Sequence, residues 1–167
     1  MSSRVIYPGT FDPVTRGHLD VAARALQVFG ALEMAVVRSS LKELAFSAEE
    51  RERLVKSSLI EAGIPGVEVT LFDGLLMDYM RSTGAGVFVR GLRANSDFEY
   101  EFQMQLINRK LAPEITGLYL MPGESNIYLS STVVREIAAL GGSLSEFVTP
   151  SVEKALREKY SRGTSGR

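Results

Sequence analysis

The sequence predicts an α/β fold: one domain built on a five-stranded parallel sheet in the order 3-2-1-4-5, with helices on both faces. Short apolar runs alternate with stretches of helical periodicity along the chain, which is typical of parallel sheets with right-handed crossovers. The run Met34–Val37 is apolar at every position, as expected for a strand buried on both faces. Polar and glycine-bearing clusters follow the strands, so parallel pairing gathers them at one edge of the sheet.

The five predicted strands are short apolar runs bounded by turn residues. We place them at Arg4–Tyr7, Glu33–Val37, Val67–Phe72, Val87–Val89 and Thr116–Leu120. Since a helical stretch follows each strand, the predicted arrangement is Rossmann-like.

The predicted helices are recognised by apolar spacing and by capping residues. Ser47–Glu50 and Ser96–Glu99 each form a Ser-x-x-Glu capping box. The helices are predicted at His18–Phe29, Ser47–Ala62, Leu75–Thr83, Ser96–Leu111, Ser130–Leu140 and Pro150–Tyr160. The helix after Ser96 carries four apolar residues on one face, at Phe98, Phe102, Leu106 and Ile107.

Length and composition narrow the class of protein. The 167 residues suit one domain with a substantial core, which we place at residues 1–160, with a flexible polar tail at residues 161–167. The net charge of −1 offers no basic field for nucleic acid or for a membrane surface. No apolar run approaches the roughly 20 residues of a membrane span, and the start lacks the apolar segment of a signal peptide. Together with the absence of cysteine, these features predict a cytoplasmic protein.

The first predicted strand leads into the sequence YPGTFDPVTRGH, Tyr7–His18. A glycine-bearing loop between a strand and a helix lets the main chain approach a ligand, and a helix start offers unpaired N–H groups that suit phosphate. Thr10 adds a hydroxyl, and His18, the only histidine, can donate an N–H to a phosphoryl oxygen. A lone histidine usually has no chemical role, so this hypothesis depends on the motif around it.

Other residues suited to chemistry also follow predicted strands. These are Lys42, Asp73–Leu76, Arg90–Arg93 and Met121–Thr132. Because the carboxyl ends of parallel strands share one edge, we expect all of them to surround one cleft with Thr10 and His18.

The basic residues each allow two interpretations. Arg90 and Arg93 suit bidentate phosphate binding beside Gly91, or they pair with acidic residues of the following helix. Lys42 is either a solvated loop residue or a charge that neutralises a transferring phosphoryl group.

The remaining candidates are equally open. Leu75 and Leu76 either pack in the core or form an apolar wall for a long uncharged substrate arm. The hydroxyls of Ser130–Thr132 either cap a helix or hold a phosphate at its N-terminus. Glu101, with Asp97, complements a helix dipole, contacts ribose or adenine, or supports Arg93.

Three motifs carry a resemblance to a known family: YPGTFDPVTRGH, FVRGLRANSDFEYE and LSSTVVRE. The first and last resemble the nucleotidyltransferase superfamily, which carries a T-x-G-H or H-x-G-H motif. The middle motif is similar to the phosphopantetheine adenylyltransferase family in particular, and the resemblance covers residues 4–159.

The resemblance implies roles for individual residues. His18 matches the transition-state stabiliser, with Lys42 and Thr10 beside it in the catalytic set. The matching substrate positions are Thr10, Lys42, Leu76 and Arg90. The matching ATP positions are Thr10, Phe11, His18, Gly91, Leu92, Arg93, Glu101, Asn126, Ile127, Tyr128, Leu129, Ser130, Ser131 and Thr132.

The resemblance also implies a reaction, in which AMP passes from ATP to 4′-phosphopantetheine and gives dephospho-coenzyme A and pyrophosphate. It implies Mg²⁺ as cofactor, held mainly through the ATP phosphates, a homohexamer, and feedback inhibition by coenzyme A. The attacking phosphate oxygen is already ionised at neutral pH, so direct in-line transfer requires no general base and no covalent intermediate.

The sequence departs from the family pattern in the Lys42 loop, which lacks a proline and a second lysine, and at Arg16, where many relatives have asparagine. In the run Asn126–Tyr128, only Tyr128 offers an aromatic contact to adenine. Two alternatives remain open: a nucleotidyltransferase acting on another phosphorylated acceptor, such as nicotinate mononucleotide or a polyol phosphate, and a non-catalytic nucleotide-binding module.

Overall fold

The structure is a computed structural model that describes residues 4–39, 43–93 and 95–161, with the main chain alone for residues 95–97. Lys42, the predicted capping side chain of Ser96 and residues 162–167 of the predicted tail therefore lie outside the described part of the chain. No helix in the described ranges has the length and apolarity that crossing a bilayer requires.

Five parallel strands form one sheet in the order β3-β2-β1-β4-β5, which confirms the predicted fold class and strand order. The strands are β1 (Val5–Gly9), β2 (Leu32–Val37), β3 (Val67–Phe72), β4 (Val87–Gly91) and β5 (Thr116–Leu120). β1 and β4 each extend two residues beyond the predicted ends, because their outer ladders to β2 and β5 continue. Gly9, Arg90 and Gly91 are therefore strand residues rather than loop residues.

The sheet opens between β1 and β4. β1 stays paired with β2 as far as Gly9, whereas its pairing with β4 is confined to Val5 and Ile6. Pro8 suits this break because proline has no N–H to give to a ladder. Its carbonyl oxygen instead accepts a hydrogen bond from Arg90 Nη1 at 3.0 Å. The separated strand ends create a cleft at the switch point of the sheet.

The six predicted helices are present. They are α1 (Arg16–Phe29), α2 (Ala48–Glu61), α3 (Leu76–Thr83), α4 (Asn95–Leu111), α5 (Ser131–Ala139) and α6 (Pro150–Ser161). The capping box of Ser47 and Glu50 is confirmed, and Ser130 caps α5 by accepting from Val133 N–H. A short 3₁₀ helix, Glu124–Asn126, was not predicted.

Two buried clusters cover the two faces of the sheet. Val5 and Tyr7 face the layer of α1, α2, α5 and α6, while Ile6 between them faces α3 and the end of α4. The alternation within β1 therefore feeds both cores, as expected for a strand of a doubly covered sheet.

No segment among the described residues covers the predicted apolar face of α4. Phe98, Phe102, Leu106 and Ile107 each keep about half of their surface exposed. The rings of Phe98 and Phe102 stack with centroids 5.9 Å apart. An apolar strip of this kind on a described helix marks a candidate contact surface.

Candidate active site

A cavity of about 330 Å³ occupies the opening between β1 and β4. It brings together eleven of the predicted site residues, namely Thr10, Phe11, His18, Arg90, Gly91, Arg93, Glu101, Leu129, Ser130, Ser131 and Thr132. They come from the ends of β1 and β4 and from the starts of α1, α4 and α5, so the predicted convergence at the carboxyl edge is present.

Other predicted site residues lie elsewhere. Leu76 lines a neighbouring cavity, and Asn126 faces a separate open groove beside α1. Leu92, Ile127 and Tyr128 are absent from the described lining of either cavity, and Tyr128 is 88% exposed. Lys42 lies outside the described residues. The roles implied for these residues remain predictions.

His18 is fixed by the cap of α1. The helix begins two residues earlier than predicted because Thr15 is its N-cap and His18 closes a capping box. Thr15 N–H donates to His18 Nδ1 at 3.0 Å, so Nδ1 accepts and the neutral imidazole carries its proton on Nε2. Burial, together with the charges of Arg93 and Arg90, lowers the pKa of His18 to about 3. At neutral pH the side chain is therefore an uncharged N–H donor.

Phe11 supports the imidazole from the side. Its ring meets His18 edge-on at 5.1 Å and Tyr7 edge-on at 5.3 Å between centroids. The φ of Phe11 is 49°, a left-handed conformation that costs free energy in a residue with a Cβ. A Cβ on Gly9 would lie 2.7 Å from the Phe11 ring. Position 9 must therefore be glycine to leave room for the Phe11 ring. The sequence had predicted only that this glycine lets the main chain approach a ligand.

Arg90 and Glu101 form the charged centre of the cavity. Arg90 Nη2 donates to Glu101 Oε1 at 2.6 Å, and Nε lies 3.1 and 3.2 Å from the two carboxylate oxygens. Burial alone would lower the pKa of Arg90, but the hydrogen bonds and charge of Glu101 outweigh it and raise the pKa. Arg90 therefore pairs with an acid and also lines the cavity, and Glu101 supports Arg90 directly through these hydrogen bonds.

The N-terminus of α5 forms the opposite wall. Ser130 caps the helix, and the Ser131 hydroxyl donates to Pro13 O at 2.8 Å. Arg93 Nη1 donates to Leu129 O at 2.8 Å, which ties the end of β4 to this wall. Thr132 Oγ1 accepts from Arg135 Nη2 at 3.4 Å, so all three predicted hydroxyls have structural partners. The first-turn N–H groups of α5 border the cavity.

Sequence reasoning gave no role to several residues at the site. Asp12 lies within the quoted motif, and its carboxylate accepts from Ala45 N–H at 2.8 Å and Phe46 N–H at 2.9 Å. Arg135 follows the three hydroxyls, and its Nη1 donates to Asp12 O. Tyr7 and Tyr100 of the lining also lie within the quoted motifs. For all four residues, the available sequence signal was therefore their place in a motif.

A second, smaller cavity adjoins the first. Its volume is about 200 Å³, and it shares Arg90, Tyr100 and Glu101 with the larger one. The rest of its wall is mainly apolar and consists of Leu75, Leu76, Met77, Phe88, Met104, Asn108 and Leu111. The larger, charged cavity therefore borders a mainly apolar one across the Arg90–Glu101 pair.

Metal-binding side chains are not clustered here. Within the described ranges, no group of three or more His, Asp or Glu residues is placed to hold a metal ion. A divalent cation at this site would have to take most of its ligands from a bound phosphate compound.

Comparison with known proteins agrees with this geometry. Residues 6–137 match a family model described as cytidylyltransferase-like. A Hahella chejuensis (strain KCTC 2396) protein named phosphopantetheine adenylyltransferase is 50% identical over 156 residues, which are 93% of this chain and 96% of the relative.

Two solved structures share the fold. Both are described as a bifunctional NMN adenylyltransferase/ADP ribose pyrophosphatase from Francisella tularensis. One has a TM-score of 0.68 at 18% identity, and the matched region covers 95% of this chain and 49% of the Francisella chain. The other, complexed with AMP and an Mn ion, has a TM-score of 0.67 at 16% identity. Its matched region covers 98% of this chain and 53% of the Francisella chain.

This chain spans about half the length of those two proteins, and at such low identity the likeness concerns the fold alone. The curated relative is different, because half of its residues are identical over nearly the full length of both chains. The chain belongs to the phosphopantetheine adenylyltransferase family, within the cytidylyltransferase-like group.

Proposed function

We propose that this protein transfers AMP from ATP to 4′-phosphopantetheine, giving dephospho-coenzyme A and pyrophosphate. The observation that carries the proposal is the pair of adjoining cavities, one lined by arginines, hydroxyls and a helix N-terminus and the other largely apolar. A phosphate at the end of a long uncharged arm fits that division, with the phosphate at Arg90 and the arm along Leu75 and Leu76.

Arg90 is suited to hold the acceptor phosphate. A guanidinium has five N–H donors, and the bonds to Glu101 and Pro8 O leave donors on both terminal nitrogens. Glu101 fixes the plane of the fork, so binding requires little ordering of the arginine. The held phosphate oxygen attacks the α-phosphorus of ATP in line, and pyrophosphate leaves on the opposite side.

His18 and Thr10 act on the α-phosphoryl oxygens in this proposal. The Nε2–H of a neutral imidazole donates a hydrogen bond to the oxygen on which charge accumulates, and Phe11 and Thr15 hold the ring in that orientation. The resemblance adds Lys42 as a further positive charge at the same phosphate.

The N-terminus of α5 is suited to the departing pyrophosphate. Main-chain N–H groups of Ser131 and Thr132 and the Thr132 hydroxyl offer donors, and Arg93 and Arg135 supply positive charge nearby. Leu129 and the preceding run Asn126–Tyr128 are proposed to contact the nucleoside, as the family pattern implies.

Mg²⁺ fits this site only as part of a metal–ATP complex. The described side chains are mainly cations and hydroxyls, and the Asp12 carboxylate is occupied by two N–H groups. When bound through the ATP phosphates, Mg²⁺ would neutralise charge on the departing pyrophosphate.

We further propose a homohexamer in the cytoplasm, inhibited by coenzyme A. The number of copies, the compartment and the inhibitor follow from the family resemblance. The half-exposed apolar strip of α4 supports self-association, and coenzyme A contains the same pantetheine arm as the proposed acceptor.

The test is to incubate the purified protein with ATP, Mg²⁺ and 4′-phosphopantetheine and to measure dephospho-coenzyme A and pyrophosphate. Parallel reactions contain nicotinate mononucleotide or glycerol phosphate as the acceptor. We expect turnover with 4′-phosphopantetheine alone. Turnover with another acceptor would reassign the substrate, and ATP binding by calorimetry without turnover would identify a non-catalytic module.

A further inference from the structure

Arg51, in the first turn of α2, points into the protein instead of into solvent. Its side chain is fully buried and is the bulkiest of the fully buried side chains in the described ranges. Each of its three guanidinium nitrogens donates to a main-chain carbonyl oxygen. A buried charge is costly unless it is well hydrogen-bonded, so the position of this arginine requires an explanation.

The carbonyl partners belong to different segments that meet at the edge of the cavity. Nη1 donates to Thr10 O and to Val37 O, each at 2.7 Å. Nη2 donates to Arg38 O at 3.0 Å, and Nε donates to Phe46 O at 3.2 Å. One guanidinium therefore joins the end of β1, the end of β2 and the residues that lead into α2.

Asp12, which follows β1, binds the residues that lead into α2 and carries the opposite charge to Arg51. Its carboxylate takes the N–H groups of Ala45 and Phe46, while Arg51 takes the carbonyl of Phe46. Burial lowers the pKa of Arg51, and the negative charges of Asp12 and Glu49 oppose that effect. We call Arg51 and Asp12, with the main-chain groups they bind, the Arg51–Asp12 clasp.

The clasp acts on the site through the peptide between Thr10 and Phe11. In a trans peptide the C=O and the N–H point in opposite directions, so holding Thr10 O toward Arg51 turns Phe11 N–H away from it. Thr10 and Phe11 line the cavity and Arg51 does not. The strained φ of Phe11 requires such an external hold, and the Phe11 ring in turn contacts His18.

We propose that Arg51, opposed by Asp12, is a positioning residue for adenylyl transfer, which sets Thr10 and Phe11 against the α-phosphate without touching substrate. This inference rests on the proposed function. Wild-type turnover is therefore measured first, because its absence contradicts the proposed function, whereas the variants test the clasp.

The experiment compares Arg51→Lys with Arg53→Lys, a matched change at an exposed arginine of the same helix. Lysine keeps the charge but places its donors on one nitrogen, so it cannot reach all four carbonyls. We expect Arg51→Lys to lower kcat by at least about 10-fold, and by up to about 100-fold if the reacting groups shift by about 1 Å. KM for ATP should change less than about threefold, and Arg53→Lys should behave as wild type.

A double-mutant cycle separates positioning from a general effect on folding. Thr10→Val removes the hydroxyl that Arg51 is proposed to position. If Arg51 acts through Thr10, the kcat loss of the double variant is smaller than the product of the two single losses by about fivefold or more. Losses that multiply would overturn the proposal, and so would unchanged kcat in folded Arg51→Lys.

Asp12→Asn provides a second variant if Arg51→Lys fails to fold. It removes the opposing charge and keeps one oxygen as an acceptor. The same cycle with Thr10→Val should again be non-additive. Multiplying losses in this cycle, or loss of the folded state in both Arg51→Lys and Asp12→Asn by melting and circular dichroism, would mean that the clasp only stabilises the fold.

Discussion

His18 performs two tasks with its two ring nitrogens. Nδ1 accepts the Thr15 N–H and completes the cap of α1, and this bond leaves the proton on Nε2. The hydrogen bond that completes the helix cap therefore also selects the tautomer of His18 that donates from Nε2. Burial and two arginines disfavour the imidazolium and hold the pKa near 3.

We predict that His18 stays neutral throughout the physiological pH range. The charged form is disfavoured in the folded state, so protons bind the unfolded state preferentially below its usual pKa of 6.5. The contribution of His18 to stability is therefore complete above pH 6.5 and declines as the pH falls. Because the chain has a single histidine, proton NMR of its ring can follow the titration. A midpoint near 6.5 in the folded protein would contradict this prediction.

We predict that His18→Ala lowers kcat by more than about 100-fold, the usual cost of losing one such donor, while ATP still binds. Alanine also removes the acceptor of the Thr15 N–H in the capping box, so His18→Asn is the matched variant. Its side-chain oxygen can still accept the Thr15 N–H, but nothing replaces Nε2–H. Steady-state kinetics should show the same loss for both variants, with a smaller loss of melting temperature for asparagine. A loss of only a few-fold in kcat would refute the role of His18.

Arg90→Ala is predicted to raise KM for 4′-phosphopantetheine about tenfold or more beyond any change in KM for ATP, because the acceptor phosphate loses its bidentate partner. Arg157→Ala, on α6 and paired on the surface with Glu153, serves as the control. Equal effects on both KM values would indicate a structural arginine.

At the scale of elements, α3 is anchored to the sheet by a buried carboxylate. Glu33 of β2 accepts hydrogen bonds from Arg4 Nε and Thr70 Oγ1, each at 2.6 Å, and from the Tyr79 hydroxyl of α3. Burial alone would raise the pKa of Glu33, but these hydrogen bonds outweigh it and lower the pKa. The anchor holds the helix that presents Leu76 to the apolar cavity.

We predict that Tyr79→Phe lowers the free energy of unfolding by about 1.5 kcal/mol at pH 7, the scale for a hydrogen bond to a charged group. Since the folded pKa of Glu33 is depressed, its stabilisation is present above the usual value of 4.5 and is lost as the pH falls below it. The effect of Tyr79→Phe should shrink accordingly in urea titrations at pH 3 to 4. The control is Tyr128→Phe, at an exposed tyrosine, and equal losses in both variants would contradict the anchor.

Local features of the sequence were the most predictable. The strands, the Ser47 cap and the Ser130 cap follow from a few neighbouring residues, and parallel pairing then determines that Thr10, His18 and Arg90 converge. Arg51 and Glu33 were not predictable, because their partners lie far away in sequence and a charged residue in an acidic turn or a strand gives no sign of pointing inward. The exposure of Tyr128 was equally hidden from local sequence.

At the scale of the whole molecule, one face of α4 has no covering layer in the part of the chain that the structure describes. Its aromatic and aliphatic side chains continue toward the wall of the apolar cavity, where Tyr100 and Leu111 are also exposed. Association of copies through this strip would bury apolar surface and shield the proposed acceptor chamber from water.

We predict that Phe102→Asp dissociates the proposed assembly, because it places a charge in the apolar strip that association would bury. Light scattering after size exclusion should show a mass near six times 18.3 kDa for the wild type and smaller species for the variant. Ile60→Asp, at an exposed residue of α2, should leave the mass unchanged. A wild-type monomer, or an unchanged assembly in Phe102→Asp, would contradict the role of α4.

The central claim is that a phosphate held at Arg90 attacks the α-phosphorus of ATP directly, in line, within the cavity between β1 and β4. The most direct test is the stereochemistry of transfer from ATP made chiral at the α-phosphorus to 4′-phosphopantetheine, followed by ³¹P NMR. A single direct displacement predicts inversion of configuration in the dephospho-coenzyme A formed. Retention would reveal a covalent intermediate and would contradict the account.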